Sequence, residues 1–206
     1  MTLQQLVDKT LERMRTFKIE GALPALRALN EGALQDVQNT NGCAYYQFSA
    51  CLVELMKPLQ VVELGGAMGV WDLMVLHTLP AEAQLYSITL PENGLEFSYV
   101  VDNYPNFHPI IGNDLDLNNW NKVELGKTDL WFIDTNHQKE QLEKELELYS
   151  PYFKKGAIVM FDDIHINEGV ESVWDEWFMI EGKYKHSEVI DMTDPLHWSG
   201  FGIVKI

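Results

Sequence analysis

Apolar residues recur at helical spacing through the first part of the chain: Leu3, Leu6, Val7, Leu11 and Met14, then Leu23, Leu26, Leu29 and Leu34, then Phe48, Leu52, Val53 and Leu55. This spacing predicts three helices before residue 58. Asn41-Gly42 separates the second from the third, which opens near Tyr45 and stops at Pro58. The Ala-Leu pairs between Ala22 and Leu34 read as one packing face of small and large residues rather than an internal repeat. From Gln60 the pattern changes to short β-branched and aromatic runs, at 60–64, 84–89, 108–111, 129–133, 157–161, 186–190 and 201–206. Each reads as a buried strand. Helical stretches lie between them at 70–78, 96–103, 115–122 and 138–153, and a fifth at 168–179 precedes the sixth strand. Such alternation predicts an α/β fold with a mostly parallel, doubly wound sheet covered on both faces. Residues 191–200 hold no crossover helix, so the last strand is expected to be antiparallel.

The length of 206 residues suits one well-filled domain with a helical attachment: a cap over 1–58 and a sheet domain over 59–206. Thirty-one acidic against fifteen basic side chains leave a formal charge of −16. Such a surface repels a phosphate backbone, so a nucleic-acid partner is not expected. No apolar run approaches the length of a bilayer span and the N-terminus carries no secretory pattern, so no membrane partner is expected and the expected location is cytoplasmic. Cys43 and Cys51, eight residues apart in a stretch read as helix, lie about 12 Å apart along its axis and are expected as reduced thiols.

Chemistry is expected beyond the carboxyl ends of the strands, where open sheets of this kind bind ligands. The first strand runs into Glu63-Leu64-Gly65-Gly66-Ala67-Met68-Gly69, a glycine turn that opens a helix and lets backbone approach a ligand closely. Its Gly-x-x-x-Gly spacing departs from the Gly-x-Gly-x-x-Gly of dinucleotide-binding turns, and no Lys-Ser or Lys-Thr follows to cradle a phosphate. Asp134, Asp162 and Asp163 leave the ends of the fourth and fifth strands. Carboxylates converging there repel one another unless a cation joins them, and a hard divalent ion such as Mg²⁺ meets that need. Caps of the following turns are the structural alternative for the same residues.

Val61 through Gly69 resembles the first motif of class I methyltransferases that use S-adenosylmethionine, which have a Rossmann-like sheet. The resemblance extends in order through Ile111-Gly112-Asn113-Asp114, Asp129 to His137, and Gly156 to Asp163. Within that class the aspartates look most like the metal-dependent O-methyltransferases, of the catechol type and of the type that modifies antibiotic sugars. The resemblance implies a cofactor site of Glu63, Gly65, Gly66, Gly69, Asn113, Asp114 and Asp134, and a Mg²⁺ site of Asp134, Asp162 and Asp163. The ion would orient and acidify a hydroxyl of a small-molecule substrate. At the end of the second strand the family carries an acid for the ribose hydroxyls; here Thr89 stands there, with Glu92 three residues on as a substitute. The sugar-type base corresponds to Asn136, which takes no proton, and the catechol-type lysine corresponds to His137, the expected general base, with His165 in reserve. Trp71, Tyr45 and Tyr46 are expected to wall the pocket, and His197-Trp198 falls where the family places substrate contacts, while Trp174 and Trp177 read as packing. The rival readings are a protein that binds the cofactor without transfer, a metal-dependent hydroxylase using Asp134, His137 and His165, and a nicotinamide oxidoreductase, against which the glycine spacing counts. The N-terminal helices serve equally as a lid or as the interface of a homodimer.

Overall fold

The computed structural model describes residues 1–29, 44–91, 98–180, 183–184 and 187–206. Among them, α1 (Leu3–Met14), α2 (Leu23–Leu29) and α3 (Tyr45–Met56) precede β1 (Gln60–Leu64). Thr2 starts α1 with a capping box, its hydroxyl accepting from the Gln5 amide while the Gln5 side chain accepts from the amide of Thr2. Lys57 ends α3 in the left-handed conformation, directly before Pro58. The remaining order is α4 (Val70–Leu76), β2 (Gln84–Thr89), α5 (Ser98–Asn103), β3 (Phe107–Ile111), β4 (Leu130–Ile133), α6 (Lys139–Tyr149), β5 (Ile158–Asp162), α7 (Glu168–Trp174), β6 (Glu188–Asp191), the single turn α8 (Thr193–Leu196) and β7 (Phe201–Lys205).

The seven strands form one sheet in the order β3-β2-β1-β4-β5-β7-β6. All neighbours are parallel except β7, which runs antiparallel to both β5 and β6. Side chains alternate across the sheet. Val61, Leu85, Phe132 and Met160 join Leu3, Leu26, Phe48 and Leu52 of the first three helices in one core, whereas Val62, Leu64, Trp131 and Phe161 face Leu142 and Leu146 of α6 and Val173 and Trp174 of α7 in the other. α1 also reaches the sheet edge, where the Glu188 carboxylate of β6 accepts from the Leu3 amide at 2.7 Å. At the opposite edge lies β3. Leu85 donates to the carbonyl of Asn106 and Gly112 donates to that of Thr89, so the amides of residues 108, 110 and 112 face β2 and position 109, a proline, faces outward.

Three expectations are revised. The helix at 115–122 is only a 3₁₀ turn, Leu117–Trp120, because short polar side chains take the local backbone: Asn113 accepts from the Leu115 amide, Asp116 from that of Asn118, and Asn119 donates to the carbonyl of Asn113. The stretch 138–153 divides at Pro151 into α6 and a 3₁₀ turn, Ser150–Tyr152. The stretch 168–179 continues past α7 as a π turn, Asp175–Met179. Trp174 and Trp177 are packing residues, as read. Cys43, Asn41, Gly42 and the chain from 30 to 34 lie outside the described residues, and Cys51 is buried and unbridged, its thiol pushed up to about 12 by burial.

Candidate active site

The strand order reverses between β1 and β4, and this is where a sheet of this type opens a crevice. A cleft of about 330 Å³ lies there, lined by Gly65, Thr89, Gly112, Asn113, Asp134 and Gln141 among others. Gly65 (φ +97°) passes the end of β4 so closely that a Cβ would stand 1.7 Å from the carbonyl oxygen of Asp134. Only glycine fits that crossing. Gly65 and Gly66 donate to the carbonyl of Ile88 on β2, and Gly69 donates to the carbonyl of Gly66 at 2.7 Å before opening α4.

Of the residues expected at a cofactor, Gly65, Thr89, Asn113, Asp114 and Asp134 line this cleft. Asn113 spends its side-chain oxygen on the Leu115 amide, and Asp114 accepts from Gln141 at 2.9 Å. Gln141 and Thr135, which the sequence reading did not single out, both donate to Glu145 at 2.6 Å. Glu145 is fully buried, and burial followed by its contact with Asp114 holds its carboxyl well above the usual range. Glu63 is placed elsewhere. It is buried on β1 below the glycine turn, accepting from the Ser87 hydroxyl, and burial pushes it up to about 7. Its neighbour Asp72, in the first turn of α4, is also fully buried and raised for the same reason. This pair braces the base of the turn. Glu92 lies outside the described residues.

Asp134, Asp162 and Asp163 do converge at the ends of β4 and β5. Two histidines bind them. His137 Nε2 lies 3.3 Å from Asp134 Oδ1 and 2.9 Å from Asp163 Oδ2. Its hydrogen bonds to Asp134 and then Asp163 hold the imidazolium up to about 10, while burial pushes Asp134 up. His197 Nδ1 lies 2.9 Å from Asp162 Oδ1 and 3.4 Å from Asp163 Oδ1. Burial pushes Asp162 up to about 7, against the pull of His197. Burial also pushes Asp163 up, but hydrogen bonds from His137 and Ser199 outweigh it and hold this carboxyl below the usual range. Asp163 sits at φ +58°, in the left-handed region. Two groups of three, Asp134-His137-Asp163 and Asp162-Asp163-His197, bring their donor atoms within 4.8 Å of one another. The carboxylates therefore lie close enough together to share a small cation.

His165 stands apart, 3.1 Å from Glu171 and 2.7 Å from Asp191, so the set Asp134, His137 and His165 is not brought together. Tyr45 is buried over the acidic edge with its ring 5.1 Å from that of His197, and Trp71 stacks on Phe132 at 4.6 Å. Trp198 is 75% exposed. Sequence reading placed His197 beside a substrate and missed its carboxylate partners. The available signal was the antiparallel last strand: pairing Asp162 with Phe201 brings residues 197–199 to the end of β5.

No curated protein matches the chain. Among solved structures it is similar to an O-methyltransferase from Bacillus cereus in complex with SAH, at 15% identity over 87% of this chain and 90% of that one, TM-score 0.63. It is also similar to the O-methyltransferase TomG from Streptomyces achromogenes, involved in tomaymycin synthesis and in complex with SAM, at 16% identity over 100% and 99%, TM-score 0.61. A methyltransferase from Geobacter sulfurreducens matches at 13% identity over 86% and 89%, TM-score 0.63. These likenesses establish the fold. A family model described as a methyltransferase domain matches residues 62–164, half of the 206 and the segment that carries the glycine turn, the cleft and all three aspartates, and so the chain belongs to the class I methyltransferases.

Proposed function

We propose that the protein transfers a methyl group from S-adenosylmethionine to a hydroxyl oxygen of a small molecule, assisted by a divalent cation. The observation that carries this reading is the convergence of Asp134, Asp162 and Asp163 beside the crevice at the β1/β4 reversal. Two of the similar structures hold SAM or SAH, and one belongs to the synthesis of a small molecule, which supports the cofactor and the acceptor class.

The glycine turn and the end of β4 bound the cofactor cleft, with Thr89, Asn113 and Asp114 along its far wall. Asp134 borders both the cleft and the acidic edge, so it sets the distance between methyl donor and acceptor. The three aspartates would hold the cation, which when bound lowers the pKa of an acceptor hydroxyl. His137 is the base. Its Nε2 faces Asp134 and Asp163, and with those carboxylates turned to a cation the ring would be a neutral imidazole that can take the acceptor proton. Tyr45, buried against His197, keeps water from the edge.

The test is binding and turnover together. Calorimetry is expected to show saturable S-adenosylmethionine binding, lost in Gly65→Val, whose side chain collides with the Asp134 carbonyl; unchanged affinity in that variant would reject the cleft. Methyl transfer to a panel of phenols, catechols and sugars is expected to stop with chelator and return with added divalent ion, and to fall about 10²–10⁴-fold in His137→Gln. Transfer indifferent to chelator rejects the cation.

A further inference from the structure

Resting on the cation reading above, we infer that His197 is a nitrogen ligand of that ion through Nδ1, and that the site takes a transition divalent ion such as Mn²⁺ or Co²⁺ in preference to Mg²⁺. Asp162 Oδ1 is a buried carboxylate oxygen that accepts no hydrogen bond, although it faces His197 Nδ1 at 2.9 Å. The same nitrogen lies 3.4 Å from Asp163 Oδ1 and 3.1 Å from Ser199 Oγ. The Ser199 hydroxyl already donates to Asp163. One imidazole nitrogen carries at most one proton and cannot serve these oxygens together, so the desolvated Asp162 oxygen is left to a cation.

The ring is held where a ligand must be. Its loop is tied on both sides: His197 donates to the carbonyl of Thr193 at 3.2 Å, Gly200 donates to that of His197 at 3.2 Å, and His165 donates to that of Ser199 at 2.7 Å. Gly200 sits at φ +104°, where a Cβ would stand 2.8 Å from the His165 amide nitrogen, so the loop has no looser path. Tyr45 packs edge-on against the imidazole. Such rigid support is what a ligand needs to be presented without cost at the moment of binding. The two histidines also approach different oxygens, His137 at Oδ2 of Asp163 and His197 at Oδ1, which leaves His137 free for the proton. Three carboxylates alone suit Mg²⁺; an imidazole nitrogen among them moves the preference toward the first transition row.

The test loads metal-stripped protein with Mn²⁺ and reads nitrogen coupling to the ion by pulsed electron spin resonance, alongside Co²⁺ and Mg²⁺ affinities by calorimetry. Coupling is expected in the wild type and in His137→Gln and is lost in His197→Gln, where Co²⁺ affinity falls at least tenfold and that of Mg²⁺ less than threefold. Should His197→Gln not fold, coupling retained in His137→Gln carries the inference. Bound Mn²⁺ without nitrogen coupling, or coupling lost in His137→Gln alone, overturns it and leaves the carboxylate site standing. Failure of the wild type to bind any of the three ions overturns the cation reading itself.

Discussion

Glu63, Ser87 and Asp72 form a buried polar cluster, and its consequence is a pH dependence of stability. Both carboxyls are raised, chiefly by burial, and Asp72 donates to Glu63 in its protonated form. A raised pKa in the folded state means that protonation favours folding. This contribution is fully present below the ordinary carboxyl range and is lost as pH rises through about 7. Melting temperature is therefore expected to decline between about pH 5 and pH 8, and Asp72→Asn, which keeps a donor for Glu63 without an ionisation, to decline less; parallel profiles would contradict the assignment. At this scale the sequence was informative where a motif names a residue type. Gly65, Asp134 and Asp163 come directly after strands and Asp162 ends one, at strand ends that the apolar pattern already marks. The direction in which Glu63 points was not legible. A strand residue faces one side or the other according to register, and Glu63 is turned toward Ser87 by its pairing with β2.

Among elements, the loop and cap preceding α7 connect stability to chemistry. Asn167 caps the helix, its Oδ1 accepting from the amides of Gly169 and Val170 at 3.0 Å, and its Nδ2 donates to the carbonyl of His137 at 3.0 Å. One side chain thus holds both a helix end and the backbone of the proposed base. Asn167→Ala is expected to cost about 1 kcal/mol in urea unfolding. It is also expected to lower kcat more than it raises KM, and a variant with unchanged kcat would show that His137 is held by its carboxylates alone. Elements with strong periodicity were legible: six of the seven strands match their predicted spans within one residue at the start. The exception, β6, begins at Glu188 against a predicted 186, and that earlier residue lies outside the described ones. The helix predicted at 115–122 was lost to Asn and Asp side chains competing for backbone, which apolar spacing does not register.

For the molecule as a whole, the division at residue 58 describes sequence pattern better than packing. Leu3, Leu26 and Phe48 share one core with Val61, Phe132 and Met160 of the sheet, and Lys205 of β7 donates to the carbonyl of Met1 at 2.8 Å. Cap and sheet are expected to unfold together, so that tryptophan fluorescence and far-ultraviolet circular dichroism give coincident urea transitions; separated midpoints would make the cap an independent unit. The sheet has two outer strands. β6 is engaged by α1, and among the described residues no further strand pairs with β3. An open edge invites a strand from another molecule, and the outward place of Pro109 removes the amide that such a strand would need at the middle of the row. The ring therefore acts as protection against self-association at high concentration. Pro109→Val restores that donor without disturbing the amides that face β2, and light scattering of the variant is expected to rise with concentration where that of the parent does not.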